Sequence, residues 1–400
     1  MTIVTRDNGT ITYDNQPTIL YYKQDDEYEP YFPIEKGNGV TFNTNTLRLT
    51  KGSYNTHIDL QATNVTDAMT EIENKISLGG RTFTEISYEV PEGYVYTDAV
   101  YYKGTYLLLY YNTTTNSSII AKSTNGITFA TANTIENVLY GSMCIFNDVV
   151  YLLGYAPSDT KVYISELTDI TTCSVTLFYS ATYSNVDITH FYLISNQHFM
   201  VAVFKFNNYS GGLWFNYDGD NPSLISKTQS PSEGVVESKP QFIGKNAVVW
   251  VGSSSPNLLS YLMMEYDGTT YNLKQAQFSP TDGSYVLSNY DPLNCCLYLV
   301  SDSTVYKIIG VGNETEITRG TDKVYPNYDF IYCNGRYIYN TYDSSSNTIR
   351  CIYGQNPYNN TTPTNGQYVG EQAMKKFYIG FDKLYAVGAN DGKVYYSLIR

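Results

Sequence analysis

Residues 99–111 read AVYYKGTYLLLYY, which is an apolar segment, the pair Lys103-Gly104 and a second, more strongly apolar segment. Runs of β-branched and aromatic residues on both sides of a two-residue turn are typical of a β-hairpin. The same pattern recurs six times further along the chain. The later copies read MCIFNDVVYLLGY (143–155), FYLISNQHFMVAVF (191–204), PQFIGKNAVVWVG (240–252), YDPLNCCLYLVSD (290–302), FIYCNGRYIYNTY (330–342) and KFYIGFDKLYAVGA (376–389).

The seven hairpins are spaced regularly, with 41 to 49 residues between their first turn residues. Those turn residues are Lys103, Asn147, Asn196, Lys245, Leu293, Asn334 and Asp382. A third strand pattern follows each hairpin, and in most copies a fourth, more polar one comes next. Four antiparallel strands per repeat, the first ones apolar and the last one polar, predict the blade of a β-propeller.

Several third-strand patterns end in an Asn-Gly or Asp-Gly pair. These pairs are Asn125-Gly126, Asp218-Gly219 and Asp267-Gly268. A type I′ turn needs positive φ at both central residues, which Asn, Asp and Gly adopt most readily. We therefore expect type I′ turns between the third and fourth strands.

The seventh copy reaches Arg400 directly after its third strand pattern and has no fourth. Residues 82–90, TFTEISYEV, form an alternating strand pattern just before the first copy and have no hairpin of their own. Pairing this strand with residues 392–400 would remove the exposed edges of an open array. The sequence thus predicts an all-β chain with a seven-bladed β-propeller at residues 81–400. A β-sandwich does not explain the sevenfold spacing.

The region before the repeats divides into two parts. Residues 1–63 are predicted to form a small, β-rich attachment region, and residues 64–80 a short helix and linker. The apolar residues of the second part fall at i, i+4, i+7 and i+11 on one helical face, with Asn64 as N-cap and Gly79-Gly80 as the end. The face consists of Val65, Met69, Ile72 and Ile76.

A helix of four turns with so narrow an apolar stripe is not stable alone. It packs either on the strands before it or against copies of itself, and the stripe alone is compatible with both. In the second case Val65, Met69, Ile72 and Ile76 are the oligomerisation contacts.

Residues 60–72, LQATNVTDAMTEI, resemble the segment A-T-N-V-x-D-A-I-x-E-L of tail-fibre, baseplate and other virion proteins of tailed bacteriophages. In those proteins the segment usually links an N-terminal attachment part to a distal part, and it often accompanies trimeric assembly. The resemblance covers about fifteen residues. It implies a virion protein that is assembled in the bacterial host cytoplasm, self-associates and has other virion proteins as partners.

A second resemblance lies in the first repeat. Residues 123–129, STNGITF, are similar to the Asp-box turn of sialidase-like propellers, with Asn125 in place of the aspartate and one residue fewer. The Asp-box is a structural turn, so this resemblance implies only a sialidase-like or kelch-like propeller fold.

Composition and charge exclude several partner classes. The formal net charge is −13 and no basic run interrupts it, so nucleic acid is not an expected partner. No apolar stretch is long enough for membrane insertion. The six cysteines show no CxxC pairing, which indicates reduced packing residues.

Catalytic constellations are not evident. A sialidase needs an arginine triad around the propeller axis, whereas four of the seven arginines fall in the last third of the propeller. The histidines, His57, His190 and His198, lie in no zinc or Ser-His-Asp pattern. Asp218, Asp267 and Asp391 each precede a glycine in a predicted hairpin, where turn chemistry explains them. We expect no catalytic residue, no metal and no cofactor.

Tyrosine is the residue type with functional promise, since the chain contains 43 of them and aromatic rings stack on sugars. Four lie in or beside predicted turns and are candidates for surface contact: Tyr217, Tyr266, Tyr358 and Tyr368. The expected function is that of a non-enzymatic tail, baseplate or fibre subunit. The alternatives are a receptor-binding protein for host surface polysaccharide and a capsule-degrading glycosidase.

Overall fold

The computed structural model divides the chain into two compact units, Met1–Gly80 and Arg81–Arg400. In the first unit it describes the backbone of residues 20–24, 27–31, 46–51 and 54–59. In the second it describes residues 83–207 without interruption, and then 209–398 with gaps that fall mostly between strands. Side chains are described for residues 83–207 and for parts of 209–250, 331–351 and 372–398.

The described part of the N-terminal unit consists of two antiparallel hairpins. One pairs β1 (Leu20–Gln24) with β2 (Glu27–Tyr31), and the other pairs β3 (Thr46–Lys51) with β4 (Tyr54–Asp59). Short strands were expected over residues 1–63, and these four lie within that range; the attachment role of the region stays a prediction. The helix expected at residues 64–80 lies outside the described residues.

The C-terminal unit begins with β5 (Thr84–Glu85) and continues as antiparallel four-stranded sheets whose strands follow in chain order. The first sheet contains β6 (Val95–Tyr102), β7 (Thr105–Asn112), β8 (Ser117–Ser123) and β9 (Ala130–Glu136). The second contains β10 (Leu139–Phe146), β11 (Val149–Ala156), β12 (Lys161–Asp169) and β13 (Ser174–Thr182). The third contains β14 (Val186–Ser195), β15 (Phe199–Phe206), β16 (Tyr209–Asp218) and β17 (Asn221–Gln229).

The next sheet differs because its first strand is split into two pieces that both pair with the following strand. It contains β18 (Val235–Val236), β19 (Gln241–Ile243), β20 (Ala247–Ser255), β21 (Leu258–Tyr266) and β22 (Tyr271–Phe278). Two regular sheets follow it. They contain β23 (Tyr285–Asp291), β24 (Cys296–Ser301), β25 (Thr304–Ile309) and β26 (Glu316–Lys323), and then β27 (Ile331–Cys333), β28 (Arg336–Asp343), β29 (Thr348–Gly354) and β30 (Gln367–Tyr368).

The last sheet takes its outer strand from the start of the unit. It contains β31 (Met374–Gly380), β32 (Lys383–Gly388) and β33 (Val394–Leu398), followed by β5. Thr84 pairs with Tyr396 and Glu85 with Tyr395, and the Ile86 amide donates to the Val394 carbonyl at 3.1 Å. The strand proposed from residues 82–90 is therefore short, and beyond it Ser87 bonds to Ile127 and Phe129 in the connection between β8 and β9.

Successive sheets pack face to face through apolar side chains. Leu109 and Ile120 of the first sheet join Leu152 of the second in one cluster, and Phe204 of the third sheet joins Leu153 in another. A further cluster combines Tyr385 of the last sheet with residues of the first. The first, second and third sheets are thus covered on both faces, which explains why β7 is apolar from Tyr106 to Tyr111.

The first strand of each meander lies at a sheet edge, and β6 contacts both β10 and β31. In the first sheet the fourth strand is the solvent-exposed one, because β9 has no buried residue whereas β7 is buried almost throughout. Sheets stacked face to face, with first strands inside and the array closed by its own N-terminal strand, form a β-propeller arrangement.

The turn expectation needs a correction. Asn125 is not among the residues with positive φ, so Asn125-Gly126 does not form a type I′ turn. The Asn125 side chain instead accepts the backbone N–H groups of Ile127 and Thr128, at 2.8 and 2.9 Å, which holds its own backbone outside the left-handed region. Positive φ at both central residues occurs in the first hairpin turns, at Lys103-Gly104 and Asn147-Asp148. Gly219 and the pair at 267–268 lie outside the described residues.

Candidate functional site

The tyrosines expected at the surface share one end of their sheets. In an antiparallel meander the first two and the last two strands are connected at one end, and the middle pair at the other. Tyr217 pairs with Pro222 and Tyr266 with Tyr271, each at the third-to-fourth connection. Tyr368 pairs with Ile352 near the same connection of its sheet. Tyr358 lies outside the described residues, and surface contact by these residues stays a prediction.

The oligomerisation residues cannot be placed in the same way. Val65, Met69, Ile72 and Ile76 all lie outside the described residues, so their role stays a prediction.

The expected packing role of the cysteines is confirmed for those whose side chains are described. Cys144, Cys173 and Cys351 are buried and form no disulfide. Burial raises the pKa of the Cys144 thiol to about 12, and it also raises the pKa of Cys351.

Within the described ranges, no group of three or more His, Cys, Asp or Glu side chains is arranged to hold a metal ion. The same ranges contain no helix long and apolar enough to cross a membrane.

The innermost strands share an irregularity that the sequence pattern did not predict. The pairing of β6 with β7 skips Thr97, that of β10 with β11 skips Gly141, and that of β14 with β15 skips residues 188–190. The same shift skips residues 375–376 in β31, and residues 237–240 separate β18 from β19. Bulges redirect side chains and often lie beside functional sites.

The bulges let neighbouring innermost strands approach closely. A Cβ at Gly141 would lie 2.9 Å from the Cβ of Phe191 and 3.2 Å from the carbonyl oxygen of Ile188. Only glycine leaves room for this contact between β10 and β14.

A buried carboxylate connects the first two bulges. Asp98 follows the bulge in β6, and its carboxylate accepts the amide of Ala99 at 2.9 Å. It also accepts the Ser142 hydroxyl at 2.8 Å and the Met143 amide at 2.7 Å, both in β10. Ser142 Oγ in turn accepts the Leu193 amide of β14 at 3.0 Å. One polar chain therefore joins three innermost strands near the axis.

Burial raises the pKa of Asp98, while the positive charge of Lys239 and the three hydrogen bonds act in the opposite direction. The carboxyl group lies in the interior, where a charge is stable only with several donors around it. The repeat pattern of the sequence did not indicate that Asp98 would be buried and surrounded by hydrogen-bond donors.

The wider bulge of β14 holds a second polar cluster. Asp187 accepts the Thr189 hydroxyl at 2.6 Å, and its other oxygen lies 2.8 Å from His190 Nδ1. Burial acts to raise the pKa of Asp187, but the hydrogen bonds of Thr189 and the charge of His190 hold it below its ordinary value. His190 was set aside in the sequence because it belongs to no catalytic motif. Its pairing with Asp187 depends on the bulge.

The split first strand of the fourth sheet brings a lysine to the last sheet. Lys239 lies between β18 and β19, and its Nζ is 5.7 Å from the centroid of the Tyr378 ring in β31. The Tyr378 ring in turn contacts Tyr96 of β6, with 4.9 Å between centroids. A cation over an aromatic face is attracted by the ring quadrupole. Side chains from the fourth, last and first sheets thus meet at this point.

Comparisons with known proteins identify the fold and no family. No protein-family model matches the chain, and no curated protein sequence matches it either. Among solved structures, the AfRom2 CNH domain is similar with a TM-score of 0.50 at 7% identity, over 79% of this chain and 98% of that one.

Two further structures show the same range of similarity. The Dos1 propeller has a TM-score of 0.46 at 11% identity, over 79% of this chain and 95% of that one. A structure from a study of two prolyl endopeptidases has a TM-score of 0.48 at 7% identity, over 89% of this chain and 55% of that one. At such identities the likeness concerns the fold alone. The chain is an all-β protein whose C-terminal unit has a β-propeller arrangement.

Proposed function

We propose that this chain is a non-enzymatic structural component of a tailed-phage particle, a tail, baseplate or fibre subunit that acts in assembly or adsorption. One observation carries the proposal, namely the resemblance of residues 60–72 to the linker segment of phage virion proteins. The segment lies just before the boundary at Gly80, where the propeller unit begins. In phage proteins this is the usual place of the segment, between an attachment part and a distal part.

The propeller in this proposal has seven blades of the sialidase-like or kelch-like kind. The sevenfold hairpin repeat supports this number, and so do the successive four-stranded sheets between β6 and β33. A closed propeller leaves only short, protected sheet edges, which suits a rigid module that is displayed in many copies.

The test of particle membership is direct. Antibodies against residues 81–400 should label purified phage particles in immunogold electron microscopy at a fixed position on the tail. Labelling confined to material outside the particles, with mass spectrometry of the purified particles also negative, would overturn the proposal.

Assembly in this proposal depends on the face formed by Val65, Met69, Ile72 and Ile76. The full chain should be oligomeric in light scattering, with a trimer as the first expectation, and the double substitution Ile72→Asp, Ile76→Asp should yield monomers. Asn74→Asp, on the opposite face of the same predicted helix, is the matched control and should leave the mass unchanged. A monomeric unsubstituted chain would contradict self-association.

A second candidate is the recognition of host surface polysaccharide by the propeller end that bears the third-to-fourth connections. The observation that favours it is the shared position of Tyr217, Tyr266 and Tyr368 at that end. Loss of binding to host polysaccharide in the triple alanine variant, but not in Tyr155→Ala at the opposite end, would support it. If the polysaccharide becomes shorter during the assay, the glycosidase alternative takes precedence.

A further inference from the structure

Two buried tyrosines distinguish the core between the last and first sheets. Tyr96 of β6 and Tyr110 of β7 are 4% and 1% exposed, and they lie opposite each other in their sheet with 5.4 Å between ring centroids. Within the part of the chain that the structure describes, neither hydroxyl has a hydrogen-bond partner, and neither is accessible to solvent. Burial raises the pKa of both phenols, so each hydroxyl keeps its proton. A buried hydroxyl without a partner destabilises the closed core.

Tyr96 faces the last sheet directly. Its ring packs edge-on against the Tyr378 ring of β31, with 4.9 Å between centroids, and both belong to the core between these two sheets. The corresponding buried tyrosine between the first and second sheets is satisfied, because the Tyr140 hydroxyl lies 2.6 Å from Ser165 Oγ. Separation of the last and first sheets would therefore give the Tyr96 hydroxyl bonds to water that it lacks in the closed core.

The strand that connects the last and first sheets is short. β5 pairs with β33 through two residues, and the Ile86 amide adds one bond to the Val394 carbonyl. The ion pair between Glu85 and Lys393 is exposed and contributes little. Directly beyond β5, Ser87 bonds to the connection between β8 and β9. The segment after β5 is thus tied to the first sheet, and the pairing of β5 with β33 is where the two sheets can separate.

Polar contacts also cross the seam between the last and first sheets. The Tyr385 hydroxyl donates to the Gly126 carbonyl, and Lys383 Nζ donates to the Tyr106 hydroxyl. When the sheets separate, these groups exchange their bonds for bonds to water, so each contact contributes only a modest net stabilisation. The Tyr96 hydroxyl has no such bond to exchange.

We propose that the propeller opens reversibly along the seam between the last and first sheets, by release of β5 from β33, while the other sheets remain folded. The Tyr96 hydroxyl favours the open form, because only there does it bond to water. Opening also frees the backbone edge of β33, which is the kind of edge that an extended segment of another chain joins as a strand. This opening does not depend on a role in a phage particle.

Hydrogen–deuterium exchange of the full chain, resolved to single amides by fragmentation of peptides, tests the proposal. The reporter is the Ile86 amide, and the reference is the set of amides of β11 in the middle of the second sheet. In the unsubstituted chain Ile86 should exchange at least about tenfold faster than β11, because it is freed by an opening smaller than global unfolding. Tyr96→Phe removes only the hydroxyl and should slow the exchange of Ile86 by about tenfold.

The matched control is Tyr179→Phe. It also removes a buried hydroxyl that has no partner in the described part of the chain, but the Tyr179 ring packs against Phe215 of the third sheet. This substitution should leave the exchange of Ile86 unchanged, and melting curves establish that each variant is folded.

Two outcomes would overturn the proposal. If Tyr96→Phe does not slow the exchange of Ile86, β5 detaches while the seam stays closed. If Tyr96→Phe and Tyr179→Phe slow the exchange equally, Ile86 exchanges only in globally unfolded molecules.

Discussion

Asp98 illustrates how a single buried side chain connects neighbouring sheets. The three groups that contact its carboxylate are all hydrogen-bond donors: two backbone N–H groups and one hydroxyl. Because the Ser142 hydroxyl also accepts the Leu193 amide, its proton is available for Asp98. Every donor and acceptor in this hydrogen-bond network has a partner as long as the side chain of residue 98 supplies acceptors only.

We expect Asp98→Asn to lower the free energy of unfolding by about 1–3 kcal/mol. Whichever way the amide turns, its NH₂ group faces an N–H or O–H donor, so a buried donor loses its partner. Urea unfolding followed by tryptophan fluorescence measures the change. The exposed Asp159 is the control, and Asp159→Asn should leave the urea midpoint almost unchanged. Equal effects of the two substitutions would contradict the structural role of Asp98.

The buried cysteines give a second prediction at the residue scale. A thiol reacts as the thiolate, and burial raises the pKa of Cys144 to about 12 while also hiding its sulfur. We expect Cys144, Cys173 and Cys351 to resist iodoacetamide at pH 8 in the folded protein and to react fully in urea. Peptide mapping by mass spectrometry identifies the modified residues. Rapid modification of Cys144 without urea would contradict the burial of this residue between the second and third sheets.

At the scale of the element, the turn between β8 and β9 shows what replaces a type I′ turn. Ser123 Oγ accepts the amides of Asn125 and Gly126, at 3.2 and 2.9 Å, and donates to Asn125 Oδ1 at 2.8 Å. Asn125 Oδ1 also accepts two amides beyond the turn. All contacts of Oδ1 are to donors, so a carboxylate suits this position at least as well as an amide.

We therefore expect Asn125→Asp to preserve or raise the melting temperature and Asn125→Ala to lower it. The alanine leaves the amides of Ile127 and Thr128 without their acceptor, at a cost of about 1–2 kcal/mol. Differential scanning calorimetry of both variants provides the comparison. A lower melting temperature for the aspartate than for the alanine would show that the side-chain acceptor is not what stabilises the turn.

Polar side chains also join one element to the next at the start of innermost strands. Ser118 Oγ donates to the Val138 carbonyl at 2.9 Å and accepts the Tyr140 amide at 2.7 Å. Asn340 makes a similar pair with the amide and carbonyl of Met374, at 2.8 and 3.0 Å. These side chains satisfy the backbone of a strand edge that has no further strand beside it.

At the scale of the whole molecule, the seam between the last and first sheets decides whether the array is closed. Besides the pairing of β33 with β5, the Tyr385 hydroxyl donates to the Gly126 carbonyl at 2.9 Å. Lys383 Nζ donates to the Tyr106 hydroxyl at 3.1 Å although Lys383 is buried. The seam is thus held by polar contacts within a core that is otherwise apolar.

We expect Ile86→Pro to open this seam. Proline removes the amide that donates to the Val394 carbonyl, whereas Ile86→Val keeps the amide and loses one methylene. The proline variant should melt clearly lower and aggregate on heating, because unpaired edges are exposed. The valine variant should lose only about 0.5–1.5 kcal/mol. Similar melting and aggregation of the two variants, followed by scanning fluorimetry and light scattering, would argue against closure by this strand.

Local sequence alone predicted the strands and hairpins of the propeller unit. The reason is that alternation of apolar residues and turn chemistry act over a few neighbouring positions, as in the copy at 143–155 that forms β10 and β11. The residues of the candidate site escaped prediction because their partners are distant: Asp98 meets Ser142, and Lys239 meets Tyr378.

The sequence by itself therefore determined an all-β repeat and the order of its strands, since both follow from period and spacing. Only the tertiary structure decided where the innermost strands bulge and which side chains meet near the axis. The bulge at Gly141 lies where β10 approaches Phe191 of β14, and this crowding is set by packing and not by local preference.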